Sequence, residues 1–347
     1  MKLLICTQKV DKDDPILGFF HAWIVEFAKN FEFVTIICLY EGKHDLPENV
    51  KVLSLGKEER QSRLQYLIHF YWYVLTERKN YDAVFVHMNQ IYIVLGGIFW
   101  KILGKKINLW YTHRAISMNL RIATFLSNKI FTASKESFTL PSNKVSVMGH
   151  GIDIDKFIKN KEYPHNDLSI LSVGRITRIK NMETLIEAMK ILKDKNTRFI
   201  CRILGPIITE DDQIYKEILK ESIIGKDLQD KVLFLDPVSN DNTREYYWNS
   251  DININLTPKG GMDKVVLEGI IANSIPLTSN NTFKEIFGDY SEQLIFEYQN
   301  PIDLANKIVK IKTILNNDEI KNYLFNRVKN DFNVMNFIKK MSDKIKS

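Results

Sequence analysis

Short apolar runs alternate along the chain with stretches in which apolar residues recur every three or four positions. In the first half the runs predict strands at residues 3–6, 34–39, 83–87, 107–111, 129–133 and 145–148. The second half repeats the pattern, with strands predicted at 168–173, 199–204, 232–235, 252–256 and 275–278. The periodic stretches between them predict helices. This alternation predicts an α/β fold with parallel sheets.

A polar stretch at residues 159–166 interrupts the alternation and contains Pro164. It predicts a linker between two Rossmann-like domains, at residues 1–158 and 159–330. After Pro301 the apolar spacing is helical to the end of the chain.

The composition narrows the class of protein. A length of 347 residues suits about two domains, and the longest apolar stretch, 91–100, is far shorter than the roughly 20 residues of a membrane span. The first residues look like a strand and not a signal peptide, which predicts a cytoplasmic protein. The three cysteines lie in apolar runs without metal-ligand spacing, so buried free thiols are expected.

The net charge of +6 is uneven along the chain. Residues 1–165 hold 22 basic and 16 acidic side chains, whereas residues 166–347 hold 26 of each. A basic half fits nucleic acid, an anionic membrane or an acidic substrate, with scattered solubilising charge as the alternative. The ring-rich stretch 65–79 is interpreted mainly as core; with Lys101, Lys105 and Lys106 it also fits a patch facing anionic lipid. No RNA-recognition motif accompanies it.

Two motifs stand where a strand leads into a helix. Gly174 and Arg175 follow the strand at 168–173, and Lys180 precedes the next helix. Asp263 and Glu268 belong to a helix expected at about 263–273, after the strand 252–256. Strand ends of this kind carry the ligand sites of open α/β sheets. Two cations beside backbone N–H groups suit a diphosphate, and a nearby carboxylate suits a ribose diol, which indicates a nucleotide-sugar site.

These motifs resemble those of the retaining GT-B glycosyltransferases of family four. Further matching segments are Trp110-Tyr-Thr-His113, Ile130-Phe-Thr-Ala-Ser134, Gly149-His-Gly-Ile-Asp153 and Ser274-Ile-Pro276. The resemblance covers nearly the whole chain. It implies two Rossmann-like domains facing across a cleft, with a C-terminal helix at 331–347 that crosses back to the first domain.

The resemblance also implies roles for individual residues. Arg175 and Lys180 would stabilise the departing diphosphate, Glu268 would hold the ribose, and His113 would contact the donor sugar. Gly18 matches the glycine loop that approaches the donor phosphates.

The chain departs from the family at the first glutamate of the E-x7-E motif, where it has Gly260. We expect the backbone of Gly260, Gly261 and Met262 to approach the sugar, with Asp263 as the replacing carboxylate. As an alternative, Asp263 only caps the following helix. Lys264, where the family has an apolar residue, either approaches a phosphate or lies on the surface.

Two Asp-x-Asp triplets raise the question of a metal. Asp11-Lys-Asp13 lies in a charged loop, and Asp153-Ile-Asp155 lies in the Gly-Ile-Asp turn that matches the linker of the resembled family. Because neither follows a central strand of the predicted sheets, both are interpreted as turn or capping residues.

The expected function is therefore metal-independent, retaining transfer of a sugar, hexosyltransferase-like, from a nucleoside diphosphate sugar to a glycan or lipid-linked acceptor. No cofactor is expected, nor nucleic acid. A place in polysaccharide or cell-envelope synthesis, peripheral on the inner membrane face, fits the charge. Two alternatives remain, namely a nucleotide-sugar epimerase of the same fold and a non-catalytic glycosyltransferase-like subunit.

Overall fold

The chain forms two compact units. The computed structural model describes residues 1–164, 166–258, 260–315 and 318–347. One unit comprises Met1–Gly151 and Phe332–Ser347, and the other comprises Ile152–Asp331. One residue of the predicted linker, His165, lies outside the described residues.

The first unit alternates strands and helices from its first residues. Its strands are β1 (Lys2–Val10), β2 (Phe33–Glu41), β3 (Val50–Ser54), β4 (Ala83–His87), β5 (Lys106–Trp110), β6 (Lys129–Thr132) and β7 (Val145–Val147). Its helices up to β7 are α1 (Phe19–Asn30), α2 (Arg63–Thr76), α3 (Ile91–Ile102) and α4 (Met118–Leu126), with a 3₁₀ turn at Lys135–Ser137.

These strands make one parallel sheet in the order β3-β2-β1-β4-β5-β6-β7. The centre of β1 and all of β4 are buried, because helices cover parallel sheets on both faces. The sequence pattern missed β3. That strand lies at the edge of the sheet and buries few of its side chains, so its apolar signal is weak.

The second unit is built in the same way. Its strands are β8 (Leu168–Val173), β9 (Phe199–Leu204), β10 (Val232–Leu235), β11 (Ile252–Asn255) and β12 (Ile275–Thr278). Its helices are α5 (Ile154–Phe157), α6 (Met182–Asp194), α7 (Glu210–Gly225), α8 (Thr243–Trp248), α9 (Lys264–Ile271), α10 (Lys284–Phe287), α11 (Ser291–Leu294), α12 (Pro301–Thr313) and α13 (Asp318–Asp331), with 3₁₀ turns at Arg178–Lys180, Asn281–Phe283 and Gly288–Tyr290.

The second sheet is also parallel, in the order β10-β9-β8-β11-β12. The predicted α/β class and its parallel sheets are confirmed. β11 is a central strand of this sheet, and every one of its residues is buried. Its polar members, Asn253 and Asn255, are therefore inside the protein.

The boundary between the units differs from the sequence prediction. It lies between Gly151 and Ile152 and not after Ile158. Helix α5 belongs to the second unit because Phe157 packs there: its backbone carbonyl accepts a hydrogen bond from the indole of Trp248 at 2.9 Å, and its ring contacts Tyr247.

The last helix, α14 (Val334–Lys346), belongs to the first unit, as the sequence predicted. Phe337 of α14 packs against Trp23 of α1 and Trp110 of β5, at ring-centroid distances of 4.7 and 5.5 Å. Gly151 also lies against Phe337, since a Cβ at that glycine would be 2.6 Å from its ring.

Two predictions about the whole chain can be compared with the structure. Cys6, Cys38 and Cys201 are buried free thiols, as expected. Throughout the described ranges, every helix is too short or too polar to cross a bilayer.

Candidate functional site

The strand order of the second sheet reverses between β8 and β11: the strands that follow β8 in the chain, β9 and β10, lie on one side of it, and the later strands β11 and β12 lie on the other. Open α/β sheets bind ligands beyond the carboxyl ends of their strands at such a point. Here the chain leaves β8 through Gly174 and Arg175, and leaves β11 through Leu256 and Thr257.

Two glycines shape the end of β8. Gly174 has φ +144°, and its N–H donates to the carbonyl of Leu204 at 2.9 Å. A Cβ on Gly205 would lie 2.0 Å from the carbonyl oxygen of Gly174, so only glycine fits there. The close approach sets the path of the chain into the 3₁₀ turn that carries Lys180.

Lys180 lies in a cluster of polar side chains from both strand ends. Its Nζ donates to Oγ1 of Thr257 and forms an ion pair with Oδ2 of Asp263, each at 2.7 Å. Nδ2 of Asn255 donates to the same carboxylate oxygen at 2.7 Å. We call Lys180, Asn255, Thr257 and Asp263 the Lys180 cluster.

The cluster keeps Asp263 ionised. Burial alone would raise the pKa of this carboxyl, but the charge of Lys180 and hydrogen bonds from Lys180, Thr257 and Asn255 outweigh burial and lower the pKa. Asp263 occupies the N-cap position of α9 without a side-chain capping hydrogen bond. Its carboxylate therefore positions Lys180 and does not cap the helix.

The loop at 257–263 is fastened to the end of β12, with residue 259 outside the described part. Ser279 donates to the carbonyl of Thr257 at 3.2 Å, and Asn280 to the carbonyl of Gly261 at 2.5 Å. Gly260, which replaces the first glutamate of the motif, has φ +150°, a conformation that favours glycine. The predicted backbone contacts of Gly260, Gly261 and Met262 would come from this loop.

Arg175 forms its ion pair with Asp212, which is not a member of the Lys180 cluster. Its Nε is 3.8 Å from Oδ2 of Asp212, and its side chain is 45% exposed. Asp212 belongs to the capping box of α7 with Thr209. Burial opposes ionisation of Asp212, but hydrogen bonds from Thr177 and Thr209 and the charge of Arg175 lower its pKa. The guanidinium is thus anchored on one side and open to solvent on the other.

Glu268 is buried on α9, with 5% of its surface exposed. Its Oε2 accepts a hydrogen bond of 3.0 Å from the hydroxyl of Tyr247. Burial, together with the charge of Glu268, raises the pKa of Tyr247, so the phenol stays protonated and donates.

Lys264 begins α9, one turn before Glu268. Burial, reinforced by the charge of Lys156, lowers the pKa of its ammonium to about 7, while Glu268 and Asp263 act in the opposite direction. An anion bound beside Lys264 would favour its protonated form. The sequence analysis had left two alternatives for Lys264, a contact with a phosphate or a place on the surface.

Two predicted residues belong to the first unit. His113 is exposed after β5, and its Nδ1 accepts from the N–H of Ala115 at 3.1 Å, which leaves Nε2 as the protonated nitrogen of the neutral ring. Gly18 is buried before α1, and its N–H donates to the carbonyl of Asp14 at 3.0 Å. The N–H of this glycine is therefore engaged within the chain.

The sequence analysis missed Asn255, Thr257, Tyr247 and Asp212 as members of the site. A signal existed for the first two, because polar residues alternate with apolar ones up to the end of β11, a strand of the site motif. Tyr247 gave no such signal, since its burial beside Glu268 depends on the packing of α8.

The Asp-x-Asp triplets are turn and capping residues, as predicted. Oδ1 of Asp11 accepts from the N–H of Asp13 at 3.1 Å, and the side chain of Asp153 accepts from the N–H of Lys156 at 3.2 Å. Among the residues that the structure describes, there is no group of three or more histidine, cysteine, aspartate or glutamate side chains that could hold a metal ion.

Solved structures with the GT-B fold share the architecture of this chain. HepE of Anabaena, in complex with UDP-glucose, superposes with a TM-score of 0.78 over 100% of both chains at 15% identity. Sucrose-phosphate synthase of Thermosynechococcus elongatus gives 0.81 over 100% of this chain and 98% of the other, at 13% identity. At these identities the likeness establishes the fold, which is GT-B.

The chain belongs to the family described as glycosyl transferases group 1, whose model matches residues 153–330. That region contains the Lys180 cluster, Arg175 and Glu268. A curated relative, the amylovoran biosynthesis glycosyltransferase AmsK of Erwinia amylovora, is 33% identical over 113 residues. The alignment spans 32% of this chain and 26% of that protein.

Proposed function

We propose that this protein is a retaining glycosyltransferase that moves a sugar from a nucleoside diphosphate sugar to a glycan or lipid-linked acceptor, without a metal. The observation that carries the proposal is the Lys180 cluster, in which Asp263 and Thr257 hold an ammonium group. The cluster lies where the strand order of the second sheet reverses, inside the region that matches the family. A fixed cation there suits the diphosphate that leaves during transfer.

The predicted residues other than Gly18 have the following parts in this reaction. Lys180 contributes a point charge and Arg175 a two-pronged grip on the diphosphate. Glu268 binds the ribose through the oxygen that does not accept from Tyr247. His113 and the loop carrying Gly260, Gly261, Met262 and Asp263 orient the sugar.

The relatives guide the choice of substrates. HepE was solved with UDP-glucose, which makes UDP-sugars the first donors to test. The name of AmsK refers to amylovoran biosynthesis, which supports polysaccharide assembly as the setting. Peripheral attachment to the cytoplasmic membrane face is part of the proposal, and the basic surplus of residues 1–165 supports it.

A panel of nucleotide-sugars tests the donor. The correct one at 100 times its dissociation constant adds about 2.7 kcal/mol to the free energy of unfolding, which thermal denaturation detects. Arg175→Ala with Lys180→Ala should abolish the shift. No stabilisation by any nucleotide-sugar would contradict the proposal.

Acceptor dependence separates the candidate activities. A transferase releases nucleoside diphosphate only when a membrane-lipid extract or a glycan pool is added, an epimerase releases it without either, and a non-catalytic subunit never does.

The stereochemistry and the metal requirement are tested separately. The first product of a retaining enzyme has the anomeric configuration of the donor, which NMR reports. EDTA should leave the rate unchanged, and a strict requirement for Mn²⁺ or Mg²⁺ would refute the metal-free mechanism.

A further inference from the structure

Helix α2 turns an apolar stripe toward solvent. Leu64, Leu67, Ile68, Trp72 and Leu75 follow helical spacing and are all exposed, Trp72 by 64%. The residues of this helix that are fully buried are Phe70 and Val74. The interpretation of the rings of stretch 65–79 as mainly core holds, since Phe70 lies in the core and Tyr66, Tyr71 and Tyr73 pack against it. The exposed stripe consists of Trp72 and the aliphatic residues, because spacing shows which residues share a face but not whether that face meets a core.

Two neighbouring helices continue the stripe. Helix α3 exposes Ile98, Phe99 and Ile102, and helix α4 exposes Met118, Ile122 and Phe125. Ile102 and Phe125 are 78% and 74% exposed. We call the exposed apolar residues of the three helices, namely Leu64, Leu67, Ile68, Trp72, Leu75, Ile98, Phe99, Ile102, Met118, Ile122 and Phe125, the α2–α4 face.

Direct contacts join the three helices into one surface. The hydroxyl of Tyr71 in α2 donates to the carbonyl of Leu95 in α3 at 3.2 Å, and its ring packs against Phe99 at 5.4 Å. Nζ of Lys101 in α3 lies 5.3 Å from the ring centroid of Phe125 in α4. Contiguous apolar surfaces of this kind mark interaction sites.

The helices that carry the α2–α4 face contain basic but no acidic side chains, and Glu77 at the end of α2 is buried and pairs with Lys51. The sequences of α2, α3 and α4 contain no aspartate or glutamate, but they contain Arg63, Lys101 and Arg121. Arg78 and Lys79 follow α2, and Lys105 follows α3. Lys144 adds a cation at the end of α4, where its Nζ donates to the carbonyls of Thr124, Phe125 and Ser127.

Exposed apolar side chains beside basic side chains indicate which partner the α2–α4 face binds. Apolar side chains flanked by lysine and arginine bind the boundary of an anionic membrane, where the rings and aliphatic chains enter below the headgroups and the cations meet phosphates. A symmetric contact between two copies would set the same basic rim against itself, and like charges repel.

We propose that the α2–α4 face docks on membranes that carry anionic lipids, with Trp72, Ile102 and Phe125 entering the boundary between headgroups and acyl chains. The inference rests on the peripheral attachment in the proposed function and assigns a surface to it. Sugar transfer is not required for docking, so the two can fail separately.

Sedimentation of the full chain with vesicles tests the surface. Wild type should pellet with phosphatidylcholine vesicles containing phosphatidylglycerol at low salt, and salt should release it. Ile102→Glu with Phe125→Glu should lower the partition coefficient by roughly tenfold or more, since two apolar side chains are lost and two carboxylates are added. Equal binding by this variant, or no wild-type binding to anionic vesicles, would overturn the proposal.

A matched control comes from the second unit. Ile224 and Ile302 are 61% and 62% exposed on α7 and α12. Ile224→Glu with Ile302→Glu adds the same charge to exposed apolar positions outside the α2–α4 face and should bind vesicles as wild type does. Equal loss of binding in this control would show a net-charge effect and reject the surface.

Trp72 reports insertion directly. The other tryptophans, Trp23, Trp100, Trp110 and Trp248, are at most 6% exposed. Lipids brominated near the headgroup should therefore quench Trp72, and Trp72→Phe should remove the quenching while the protein still sediments. Sedimentation without quenching of the wild type would contradict insertion of this face.

Two further measurements separate the alternatives. If light scattering shows a dimer that Ile102→Glu with Phe125→Glu dissociates, while vesicle binding is unchanged, the face joins two copies and the membrane proposal is rejected. If the variant loses vesicle binding but keeps its thermal stabilisation by the nucleotide-sugar, docking is supported independently of donor binding. Failure of donor binding in wild type would refute only the proposed reaction.

Discussion

The contact between Lys180 and Asp263 changes what is expected of both residues. From the sequence, Lys180 was a phosphate ligand and Asp263 a sugar ligand or helix cap. In the structure Asp263 accepts from Asn255 and pairs with Lys180, and it makes no side-chain cap. Asp263 is therefore best interpreted as a positioning residue, whose carboxylate fixes the ammonium before a donor arrives.

Alanine at either cation should slow transfer. We expect Arg175→Ala and Lys180→Ala each to lower kcat by about a hundredfold, the usual cost of losing one preorganised charge stabiliser. Arg178→Ala, in the same loop, serves as the control, because Arg178 stacks on Tyr215 and contacts no member of the Lys180 cluster in the described structure. Near-wild-type rates in both Arg175→Ala and Lys180→Ala would contradict the role of these residues in binding the diphosphate.

Neutralising Asp263 tests its positioning role. Asp263→Asn keeps the shape but loses the charge that holds Lys180, so kcat should fall by about tenfold or more through misplacement of the ammonium. Donor affinity measured by calorimetry should change less than kcat. If affinity for the nucleotide-sugar falls as much as kcat, Asp263 contacts the substrate instead.

Lys264 should give the stability a particular pH dependence. Its pKa is about 7 in the folded protein and near 10.4 in the unfolded chain, so the unfolded chain binds the extra proton between these values. The free energy of unfolding should therefore gain up to about 1.4 kcal/mol per pH unit from pH 7 toward pH 10, and lose it as the pH falls. Urea denaturation should show this gain reduced in Lys264→Met and retained in Lys190→Met. Identical slopes in the two variants would contradict it.

At the scale of elements, parallel strands buried on both faces determine where polar groups can meet. The ends of β8 and β9 approach closely at Gly174 and Gly205, and β11 supplies the Asn255 amide from inside the sheet. Because the glycines determine how the chain leaves β8, the site depends on backbone packing as well as on its charged side chains.

Gly205→Ala should damage both the fold and the site. The new Cβ would lie 2.0 Å from a backbone oxygen that has little freedom to move, and we expect a loss of about 2–3 kcal/mol or more in the free energy of unfolding. Gly225→Ala, which has no neighbour within 4 Å, should instead be neutral or stabilising. Chemical denaturation measures both, and equal stabilities would reject the close approach.

At the scale of the whole molecule, the first unit is discontinuous in sequence. Residues Phe332–Ser347 pack with Met1–Gly151 after the chain has completed the second unit. The unit therefore lacks part of its core until the C-terminus is present. Trp23 and Trp110 are among the residues that α14 covers.

Truncating Phe337 should destabilise the first unit selectively. Phe337→Ala removes a buried ring and should cost about 3–5 kcal/mol. Met335→Ala on the exposed side of the same helix should cost far less. Calorimetry should show a lower transition for the first unit and an unchanged one for the second. A uniform shift would mean that the units unfold together.

Much of the architecture could be predicted because its signals are local. The order of strands and helices follows from apolar periodicity, and Arg175, Lys180 and Glu268 were located by motifs at strand ends. The edge strand β3 was missed because it buries little. The unit boundary was misplaced because α5 is only four residues long, and its packing against Trp248 leaves no pattern in the sequence.

The sequence by itself determined the class of fold and the positions where chemistry is concentrated, since backbone hydrogen bonding and side-chain periodicity act between near neighbours. Only the tertiary structure decided which polar groups meet. Lys180 and Asp263 are 83 residues apart in the chain and come together because β8 pairs with β11. The tertiary structure also decided that the apolar stripes of α2, α3 and α4 face water, because whether a helix face is covered depends on what packs against it.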